Sequence, residues 1–376
     1  MKNSTILIAL LFFLISCSNS NKESESQEQQ QSEKRIIAYV HGLEDNWGEN
    51  NEKAKQITHI NYAFANIKDG RVVEGDTTNT YALQKLNDLK LTNPNLKILI
   101  SVGGWSWSGN FSDAVLTKAS REIFANSAIE FMLQNKIDGI DLDWEYPGLV
   151  GAGNVHRPED KENFTAILKL IRHKLDSLGT NNKYLLTIAT GASQQYLDHT
   201  DMGEAQKYLD FINIMTYDFY TGGSKKTGHH SNLKASQYET STARSTEIAV
   251  QQHIDAGIPA NKIVVGVPFY GRWWKGTNPT NQGLYKEASG ATGGFTYKQI
   301  ADSLNANVGF VEKWDESAQA PYIYRVSDSL FLTYENPKSL KLKVDYVNQN
   351  QLGGIMFWQY NGDNGELLQT INTYLK

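Results

Sequence analysis

The 376-residue sequence is poor in cysteine, and Cys17 is its single one. One cysteine excludes an intramolecular disulfide and any zinc or iron–sulfur site built from several thiolates, so packing must stabilise the fold. The eight histidines lack the His-Glu-x-x-His spacing of zinc proteases, and the glycines form neither a P-loop nor a dinucleotide-binding pattern. We therefore expect no metal ion and no cofactor.

Charge runs of one sign are also missing. Thirty-six basic and 41 acidic side chains give a net charge of -5, and no basic stripe of the kind that binds nucleic acid or an anionic membrane surface occurs. Hydrophobic residues make up 40% of the chain, which is typical of a globular protein and excludes a disordered one. The sequence predicts no nucleic-acid partner and, without any sign of an obligate assembly, a monomer.

The N-terminal apolar run is too short to cross a bilayer. It covers residues 6–15 after Lys2, about ten residues against the roughly 20 of a membrane-spanning helix, and this length is typical of a signal-peptide core. Residues 14–17, Leu-Ile-Ser-Cys, resemble the lipobox of bacterial lipoproteins. The resemblance implies that residues 1–16 are a signal peptide and that Cys17 is lipidated, and an ordinary secretory signal with a coincidental cysteine is the alternative.

Residues 17–34 predict a disordered tether. Positions 18–34 contain only Ser, Asn, Gln, Glu and Lys, a composition that cannot bury enough surface to offset the entropy of ordering. Coil statistics give such a segment a reach of roughly 20 to 25 Å. We therefore expect an exported, lipid-anchored envelope protein, at the outer membrane or cell surface, which touches the membrane only through the lipid at Cys17.

From position 35 onward, short β-rich runs alternate with amphipathic helices. Such alternation indicates parallel strands, and eight strand–helix units close a barrel rather than form an open sheet. The predicted fold class is α/β, a (β/α)8 TIM barrel formed by residues 35–274 and 333–376. Its predicted strands are the eight runs 36–40, 59–67, 96–102, 137–143, 184–190, 211–217, 263–268 and 353–358.

Helices and an insertion are predicted between these strands. Asn336 and Pro337 form an N-cap followed by proline in the first helical turn. The interval from 268 to 353 is too long for one helix and has its own signals, a helix near 296–304 and strands near 322–324 and 331–334. We therefore predict a small α+β insertion domain at 275–332, between strand 7 and strand 8, as one wall above the barrel mouth. Two single helix faces are marked by Phe164, Ile167, Leu168, Ile171 and Leu175 and by Leu367, Leu368, Ile371 and Leu375.

The segment 138–147 is the most informative part of the sequence. Alternate residues of a strand share a face, so Asp141, Asp143 and Glu145 point one way and the apolar residues between them point the other. The acids then line the barrel axis up to the carboxyl-terminal rim, where barrel enzymes carry their chemistry. A solvated strand face is one alternative, although parallel strands are covered on both sides. A divalent-cation site is the other, although the neighbouring strand ends offer mainly aromatic residues and glycines.

Charge repulsion predicts that this row of acids holds a proton. Two carboxylates about 6.6 Å apart repel by roughly 2.5 kcal/mol at an effective dielectric near 20, enough to keep at least one proton on the row near neutral pH. Glu145 is uppermost and is the candidate for a raised pKa and for the role of general acid. Asp143 is expected to stay charged beneath it.

The pattern Asp138-x-x-Asp141-x-Asp143-x-Glu145 resembles the signature of family 18 glycoside hydrolases, the chitinase family. Shorter motifs agree at the ends of the third, sixth, seventh and eighth strands, namely residues 101–104, 215–218, 270–272 and Trp358. The long insertion resembles the domain that deepens the cleft in the chitinase branch of that family. The resemblance therefore implies a bacterial chitinase with an insertion domain.

The resemblance also implies the chemistry. Stacked acids on one strand do not straddle a sugar as the two carboxylates of an ordinary retaining glycosidase do. In the implied substrate-assisted reaction, Glu145 protonates the leaving oxygen, the 2-acetamido oxygen attacks its own anomeric carbon, and water opens the oxazolinium ion with net retention. Asp143 accepts the acetamido N–H, Asp141 shares a proton with Asp143, and Tyr217 donates to the acetamido oxygen.

Further residues match positions at which the family contacts sugar. An indole at Trp358 can stack on the apolar face of a pyranose or pack in the barrel top, and Tyr217 can alternatively satisfy its hydroxyl inside the barrel. Tyr39 and Ser101 match hydrogen-bond partners behind the acids. The remaining substrate-binding candidates are Glu74, Gly75, Gly103, Gly104, Trp105, Ser106, Tyr146, Met215, Thr216, Asp218, Tyr270 and Arg272.

Other aromatic and titratable residues receive a weaker assignment. By strand parity Trp144 belongs to the core, and His229 and His230 are expected in a surface loop and have no assigned role. Tryptophans that follow strand ends can line a cleft for several sugar rings or pack within loops, and these are Trp47, Trp105, Trp107, Trp273 and Trp274.

The sequence as a whole predicts a chitinase that hydrolyses β-1,4 links between N-acetylglucosamine units. Two alternatives stay open, an endo-β-N-acetylglucosaminidase acting on glycoprotein glycans and a non-catalytic chitin-binding lectin. Glu145 argues against the lectin, because loss of that acid is the usual way in which such a protein becomes inert. The insertion and the Trp-Glu-Tyr-Pro sequence at 144–147 favour chitinase over the glycan hydrolase.

Overall fold

The computed structural model describes residues 34–42, 51–75, 79–179, 183–305 and 309–376. The predicted signal peptide, the lipidation site Cys17, the tether up to residue 33 and Trp47 lie outside the described residues, so these assignments stay predictions. Within the described ranges, no helix combines the length and the apolar composition that crossing a membrane would require.

Fourteen strands form two separate sheets in the described chain. Each of the eight predicted runs contains a barrel strand, because each is rich in β-branched and apolar residues that fill a sheet buried on both faces. In chain order the strands are β1 Arg35–His41, β2 His59–Lys68, β3 Arg71–Glu74, β4 Lys97–Gly103, β5 Gly139–Asp143, β6 Leu185–Gly191, β7 Phe211–Met215, β8 Ile263–Pro268, β9 Tyr270–Trp274, β10 Thr292–Thr296, β11 Glu312–Asp315, β12 Ala320–Arg325, β13 Leu330–Thr333 and β14 Gly354–Trp358.

The larger sheet closes on itself as a parallel barrel. Its strands follow the order β1-β14-β8-β7-β6-β5-β4-β2, and a further parallel pairing of β1 with β2 joins the two ends. β3 adds to β2 as an antiparallel extension outside the ring. This closed ring of eight parallel strands confirms the predicted TIM-barrel fold class.

Helices cover the outside of the barrel, and the predicted ones are confirmed. Asn336 accepts a hydrogen bond from the backbone N–H of Ser339, and Pro337 stands in the first turn, as the N-cap signal predicts. The apolar face around Ile167 is buried within a helix of 18 residues. The helices are α1 Asn51–Ala54, α2 Asn79–Asp88, α3 Phe111–Ala114, α4 Lys118–Gln134, α5 Asp160–Ser177, α6 Gln194–Asp198, α7 Met202–Ala205, α8 Thr246–Asp255, α9 Tyr297–Asn305, α10 Pro337–Gln349 and α11 Glu366–Tyr374.

The second sheet lies between the seventh and eighth barrel strands in sequence. Its five antiparallel strands follow the order β10-β9-β13-β12-β11, and α9 connects β10 to β11. The sheet begins with β9 at Tyr270, so it includes residues that the sequence analysis placed in the barrel half 35–274. That shift arises because Tyr270–Trp274 directly follows β8 but pairs with β10 and β13.

Alternation along β5 separates two environments. Ile140 and Leu142 are fully buried in the main core between strands and helices, and Trp144 stacks on Phe111 with ring centroids 5.0 Å apart. The acids between them face the barrel interior, where Asp141 is fully buried. The parity argument for this strand is therefore confirmed, and it puts carboxylates on the barrel axis.

Candidate active site

A cleft of about 1460 Å³ opens at the carboxyl ends of the barrel strands. Its lining includes the last residues of five parallel strands, Gly103, Asp143, Gly191, Met215 and Trp358. One wall comes from the small sheet and its helix, which contribute Gly294, Phe295, Thr296 and Gln299. This rim is the place at which barrel folds assemble side chains from several strands.

Asp141 lies at the base of the acidic row and accepts four hydrogen bonds. The Tyr39 hydroxyl and the Ser101 hydroxyl each donate to Oδ2 at 2.8 Å. Thr187 Oγ1 donates to Oδ1 at 2.5 Å, and Asn213 Nδ2 donates to the same atom at 3.4 Å. Burial is the largest influence and raises the pKa of Asp141 overall, although the hydrogen bonds from the four donors act to lower it. Because of these donors, hydrogen bonds stabilise a negative charge on Asp141 better than one on Asp143.

Asp143 occupies the middle of the row and has few partners. It is buried, and among the described residues none donates a hydrogen bond to its Oδ1. Burial first, and then the carboxylates of Glu145 and Asp141, raise the pKa of Asp143 well above its usual range. This direction runs against the expectation that Asp143 stays charged in the free protein. A carboxyl with charged neighbours on both sides and little hydrogen bonding is the favourable place for the shared proton.

Glu145 lies at the rim of the cleft and is 8% exposed. Burial raises its pKa to about 7, a hydrogen bond from Tyr146 lowers it, and the negative charge of Asp218 raises it. The direction is the one that the sequence predicted, but the largest cause is burial rather than repulsion within the row. A carboxylic acid with a pKa near neutrality can hold a proton and release it during a reaction.

Ser108 joins the acidic strand to the loop after β4. Its hydroxyl lies 2.9 Å from the Gly104 carbonyl and 3.1 Å from the Asp143 carbonyl, and it accepts the backbone N–H of Glu145 at 2.9 Å. Gly104 N also donates to the Asp143 carbonyl at 2.7 Å. Gly103 adopts a φ of 106°, and a Cβ there would lie 2.4 Å from that carbonyl, so only glycine fits.

Tyr217 reaches the cleft from the turn after β7. Its hydroxyl has the Met356 sulfur at 4.0 Å, and a thioether is a weak acceptor, so the hydroxyl can donate to a ligand. Burial raises the pKa of Tyr217 well above its usual range, which keeps the phenol protonated. Its ring lies edge-on to Tyr270, with centroids 6.2 Å apart.

Asp218 and Arg272 form a bidentate ion pair in the cleft wall. Arg272 Nε donates to Oδ1 at 2.8 Å, and one terminal nitrogen donates to Oδ2 at 2.6 Å. Burial raises the pKa of Asp218, but the nearby His230 and the hydrogen bonds and charge of Arg272 lower it below its ordinary value overall. The Arg272 guanidinium also lies over the Tyr270 ring, 5.0 Å from its centroid. Asp218 is thus a fixed negative charge.

Aromatic side chains form the floor and one lip of the cleft. Trp358 stacks on Phe64 with ring centroids 5.5 Å apart and lies 6.0 Å from the Tyr39 ring. Trp105 is 54% exposed at the rim, next to Ser106. A large exposed indole beside a cleft offers an apolar face for a sugar ring.

Most of the predicted site residues lie together, but several do not line the cleft. Asp141 and Ser101 lie beneath it, and Thr216 turns its hydroxyl to the Gly266 carbonyl at 2.5 Å. The first acid of the signature, Asp138, accepts the backbone N–H of Ile98 at 2.8 Å at the start of β5 and is not part of the row. The remaining predicted residues outside the cleft lining are Glu74, which is exposed and bonded to Thr80, and Gly75 and Gly104, which pack against Trp107 and Phe64.

The expectation that His229 and His230 lie in a surface loop is wrong. His229 and His230 are fully buried, because the loop after β7 folds under the small sheet, where His229 lies 3.2 Å from Asp315. His230 lies 3.7 Å from Asp218, behind the cleft wall. Trp274 is a core residue of the small sheet and is not part of the cleft.

Sequence reasoning missed Thr187 and Asn213. The register pairs Asp141 with Ser101 on one side and with Thr187 on the other. Strand parity could have found Thr187 once the register between β5 and β6 was known, but no local motif marks it. Among the described residues, no group of three His, Cys, Asp or Glu side chains could hold a metal ion, and the expectation of no cofactor stays a prediction.

Comparison with known proteins relates this cleft to a family. Residues 27–363 match the model of glycosyl hydrolases family 18. Chitinase A1 of Niallia circulans is 41% identical over 369 residues, which cover 88% of this chain and 52% of that protein, so the chain spans about half the length of this relative. Chitinase B of Serratia marcescens is 32% identical over 393 residues, covering 86% of this chain and 77% of that protein.

Solved structures that superpose on this chain belong to the same family or are chitinases. A glycoside hydrolase family 18 N-acetylglucosaminidase from Paenibacillus barengoltzii superposes with a TM-score of 0.85 at 40% identity, covering 91% of this chain and 100% of that chain. The chitinase ChiA74 from Bacillus thuringiensis superposes with a TM-score of 0.83 at 31% identity, covering 92% of this chain and 70% of that chain. The chain is therefore a glycoside hydrolase that belongs to glycosyl hydrolases family 18 and resembles its chitinases.

Proposed function

We propose that this protein is a chitinase that hydrolyses β-1,4-linked N-acetylglucosamine chains with retention, by substrate-assisted catalysis. One observation carries the proposal. Three of the described residues that line the cleft are acidic, Asp143, Glu145 and Asp218. The first two lie in a row on one strand, and Asp218 is held by Arg272. An ordinary retaining enzyme needs a free carboxylate across the scissile bond from the acid, so here the nucleophile must come from the substrate.

The 2-acetamido group of the sugar supplies that nucleophile. Glu145 transfers its proton to the glycosidic oxygen while the acetamido oxygen forms a bond to the anomeric carbon and the bond to the leaving sugar breaks. The Glu145 carboxylate then takes a proton from water, whose oxygen attacks the anomeric carbon of the oxazolinium ion. The acetamido group is restored, and two inversions give net retention.

Asp143 and Asp141 stabilise the cationic intermediate together. In the free cleft the shared proton lies on Asp143, as burial and its charged neighbours favour. When the acetamido N–H donates to Asp143 and positive charge develops on the ring, the charged form of Asp143 becomes favourable and the proton passes to Asp141. The hydroxyls of Tyr39, Ser101 and Thr187 keep Asp141 oriented for this exchange.

The other cleft residues bind and orient the sugars. Tyr217 donates to the acetamido oxygen and aligns it with the anomeric carbon, and Trp358 stacks on the apolar face of the reacting sugar. Asp218 with Arg272 and the rim residue Trp105 contact sugar on the walls. The remaining proposed contacts are Gly103, Ser106, Tyr146, Met215 and Tyr270, which line the cleft.

The pH dependence of catalysis follows from Glu145. Because its pKa is raised to about 7, the acid is protonated below that pH and loses its proton above it. We expect kcat/KM on soluble N-acetylglucosamine oligomers to fall about tenfold per pH unit above neutrality, when measured from about pH 5 to about pH 9. In Asp218→Asn the fall should begin at lower pH, since the Asp218 charge is one cause of the raised pKa. A profile that stays flat through the alkaline range would contradict the assignment of Glu145.

The substrate class is tested by comparing products. Soluble N-acetylglucosamine oligomers and a high-mannose glycoprotein are incubated with the enzyme side by side, and products are identified over time together with their first-formed anomer. We expect oligomer cleavage with the β-anomer formed first, and no release of glycan. Glycan release without oligomer cleavage supports the endo-β-N-acetylglucosaminidase alternative and rejects the chitinase proposal.

The wall from the small sheet supports the choice of chitinase over the glycan hydrolase. We propose that this sheet is the insertion domain of the chitinase branch, with Phe295 and Gln299 lining the cleft. Exclusive release of single N-acetylglucosamine units in the same experiment would indicate the activity named for the Paenibacillus barengoltzii relative. We further propose that Cys17 carries the lipid that attaches a monomeric enzyme to the bacterial envelope.

A further inference from the structure

A buried ion pair lies outside the cleft, between α10 and the end of the small sheet. Lys343 and Glu335 are in direct contact, and their side chains are 0% and 1% exposed. Ser339 Oγ donates to the second oxygen of Glu335 at 2.6 Å. A pair of this kind is weak evidence for stability, since well-packed apolar residues of similar volume often replace it without loss. Its presence here therefore calls for a reason other than stability.

The ammonium group of Lys343 also holds the loop after β7. Its Nζ donates to the Ser231 carbonyl at 2.6 Å and to the Ser231 hydroxyl oxygen at 2.7 Å. Because the Ser231 hydroxyl oxygen accepts a hydrogen bond from Lys343, the hydrogen of this hydroxyl points away from the lysine. It donates to the Thr216 carbonyl at 2.9 Å. The hydrogen bonds thus run from Glu335 through Lys343 and Ser231 to the backbone at Thr216, and the charge strengthens each of them.

That carbonyl belongs to the peptide that joins Thr216 to Tyr217. The turn here is irregular: Thr216 N donates to the Ile214 carbonyl at 2.8 Å, and Tyr217 N donates to the Met215 carbonyl at 2.7 Å. Asp218 has a φ of 57°, the left-handed region that a residue with a Cβ adopts only at a cost. Such a backbone persists only where its surroundings fix it.

We propose that Ser231 and Lys343 are positioning residues that hold this turn, so that Tyr217 and Asp218 point into the cleft. The Ser231 hydroxyl fixes the carbonyl before Tyr217, and Lys343 fixes Ser231 while Glu335 neutralises the buried ammonium group. The part of the inference that concerns alignment of the substrate acetamido group rests on the proposed role of Tyr217. None of the three residues lines the cleft, so each acts through the turn.

Ser231→Ala is the sharpest single change, because it removes one hydroxyl and opens almost no space. We expect kcat on N-acetylglucosamine oligomers to fall about tenfold or more, with KM within about threefold of the parent, because the sugar contacts remain while the alignment of Tyr217 is lost. Ser231→Thr, which keeps the hydroxyl, should recover most of kcat. Thr370→Val is the matched control, since it removes a buried hydroxyl that bonds the Glu366 carbonyl at 2.8 Å in α11, and its kcat should equal that of the parent.

A double variant separates positioning from stability. Lys343→Met combined with Glu335→Met removes the pair without leaving a lone buried charge, so its urea midpoint should stay near that of the parent while kcat falls about tenfold. Lys341→Met, on the exposed side of the same helix, is its control and should keep the parent kcat. A lower midpoint with unchanged kcat in the double variant would show that the pair is a structural element only and would overturn the proposal.

A double-mutant cycle with Tyr217→Phe tests the path of the effect. If Ser231 acts through Tyr217, then adding Ser231→Ala to Tyr217→Phe should lower kcat much less than it does in the parent, by about twofold. The same tenfold loss in both backgrounds, or a Ser231→Ala enzyme with the parent kcat, would reject the inference. If the unsubstituted enzyme cleaves another β-N-acetylglucosaminide but not chitin oligomers, the proposed function is rejected instead. The double-mutant cycle can then still be measured on that other substrate.

Discussion

Replacing Glu145 by glutamine is expected to lower kcat on N-acetylglucosamine oligomers by about 10³-fold while oligomer binding stays close to that of the parent. The amide keeps the shape of the side chain but has no proton that it can transfer at neutral pH. Glu145 is largely buried at the rim, and its pKa of about 7 is raised chiefly by burial. Single-turnover kinetics and calorimetric titration with a soluble oligomer measure the two quantities separately.

The control for this substitution is Glu130→Gln. Glu130 lies on α4 and forms an exposed ion pair with Arg71 at 2.9 Å, so Glu130→Gln makes the same replacement of a carboxyl by an amide without touching the cleft. We expect the parent kcat and the parent affinity in this variant. A Glu145→Gln enzyme that retains more than about one tenth of the parent kcat would show that another group supplies the proton.

Removing the acetyl group from the substrate should have an effect at least as large. Fully deacetylated chitosan oligomers are expected to react more than about 10⁴-fold more slowly than acetylated oligomers of the same length, because an oriented internal nucleophile is lost. Among the described cleft residues no free carboxylate can replace it, since Asp218 is bound to Arg272 and Asp143 lies under the general acid on the same strand. Initial rates on the two oligomer sets, compared at subsaturating concentration, measure the effect.

Partly acetylated oligomers provide the internal control. Cleavage should occur only where the sugar on the non-reducing side of the broken bond has an acetyl group, which sequencing of the products by mass spectrometry reveals. Rapid cleavage after deacetylated sugars would mean that a protein carboxylate forms the glycosyl intermediate, and the substrate-assisted mechanism would then be wrong. The Glu145→Gln result would not change in that case, so the two experiments test separate parts of the mechanism.

The pKa of Glu145 is raised, as the sequence predicted, but the main cause differs from the one that the sequence suggested. The prediction rested on the spacing of charges along one strand. In the folded protein, burial is the largest cause of the raised pKa of both Glu145 and Asp143, and for Asp143 the neighbouring carboxylates add to it. Spacing is visible in a sequence, whereas the depth of a carboxyl and the number of its donors depend on the residues of other strands.

Strand identity and strand parity could be predicted because both are local. Each of the eight apolar runs contains a barrel strand, and the alternation at 140–144 separated the core residues from the acids. The histidines at 229 and 230 show the opposite case. Their loop has no periodic pattern, and its burial depends on the small sheet that covers it, so the sequence alone predicted exposure.

The sequence by itself determined the order of strands and helices, the face of β5 that carries the acids, and the motifs that give the family resemblance. These follow from residue spacing, which fixes the direction of side chains within one element. Tertiary structure alone decided that Thr187 and Asn213 hold Asp141, that Asp218 is bound to Arg272, and that a buried lysine on α10 bonds Ser231, whose hydroxyl donates to the Thr216 carbonyl. Those contacts join residues far apart in the chain, and only closure of the barrel and the register between its strands bring them within hydrogen-bonding distance.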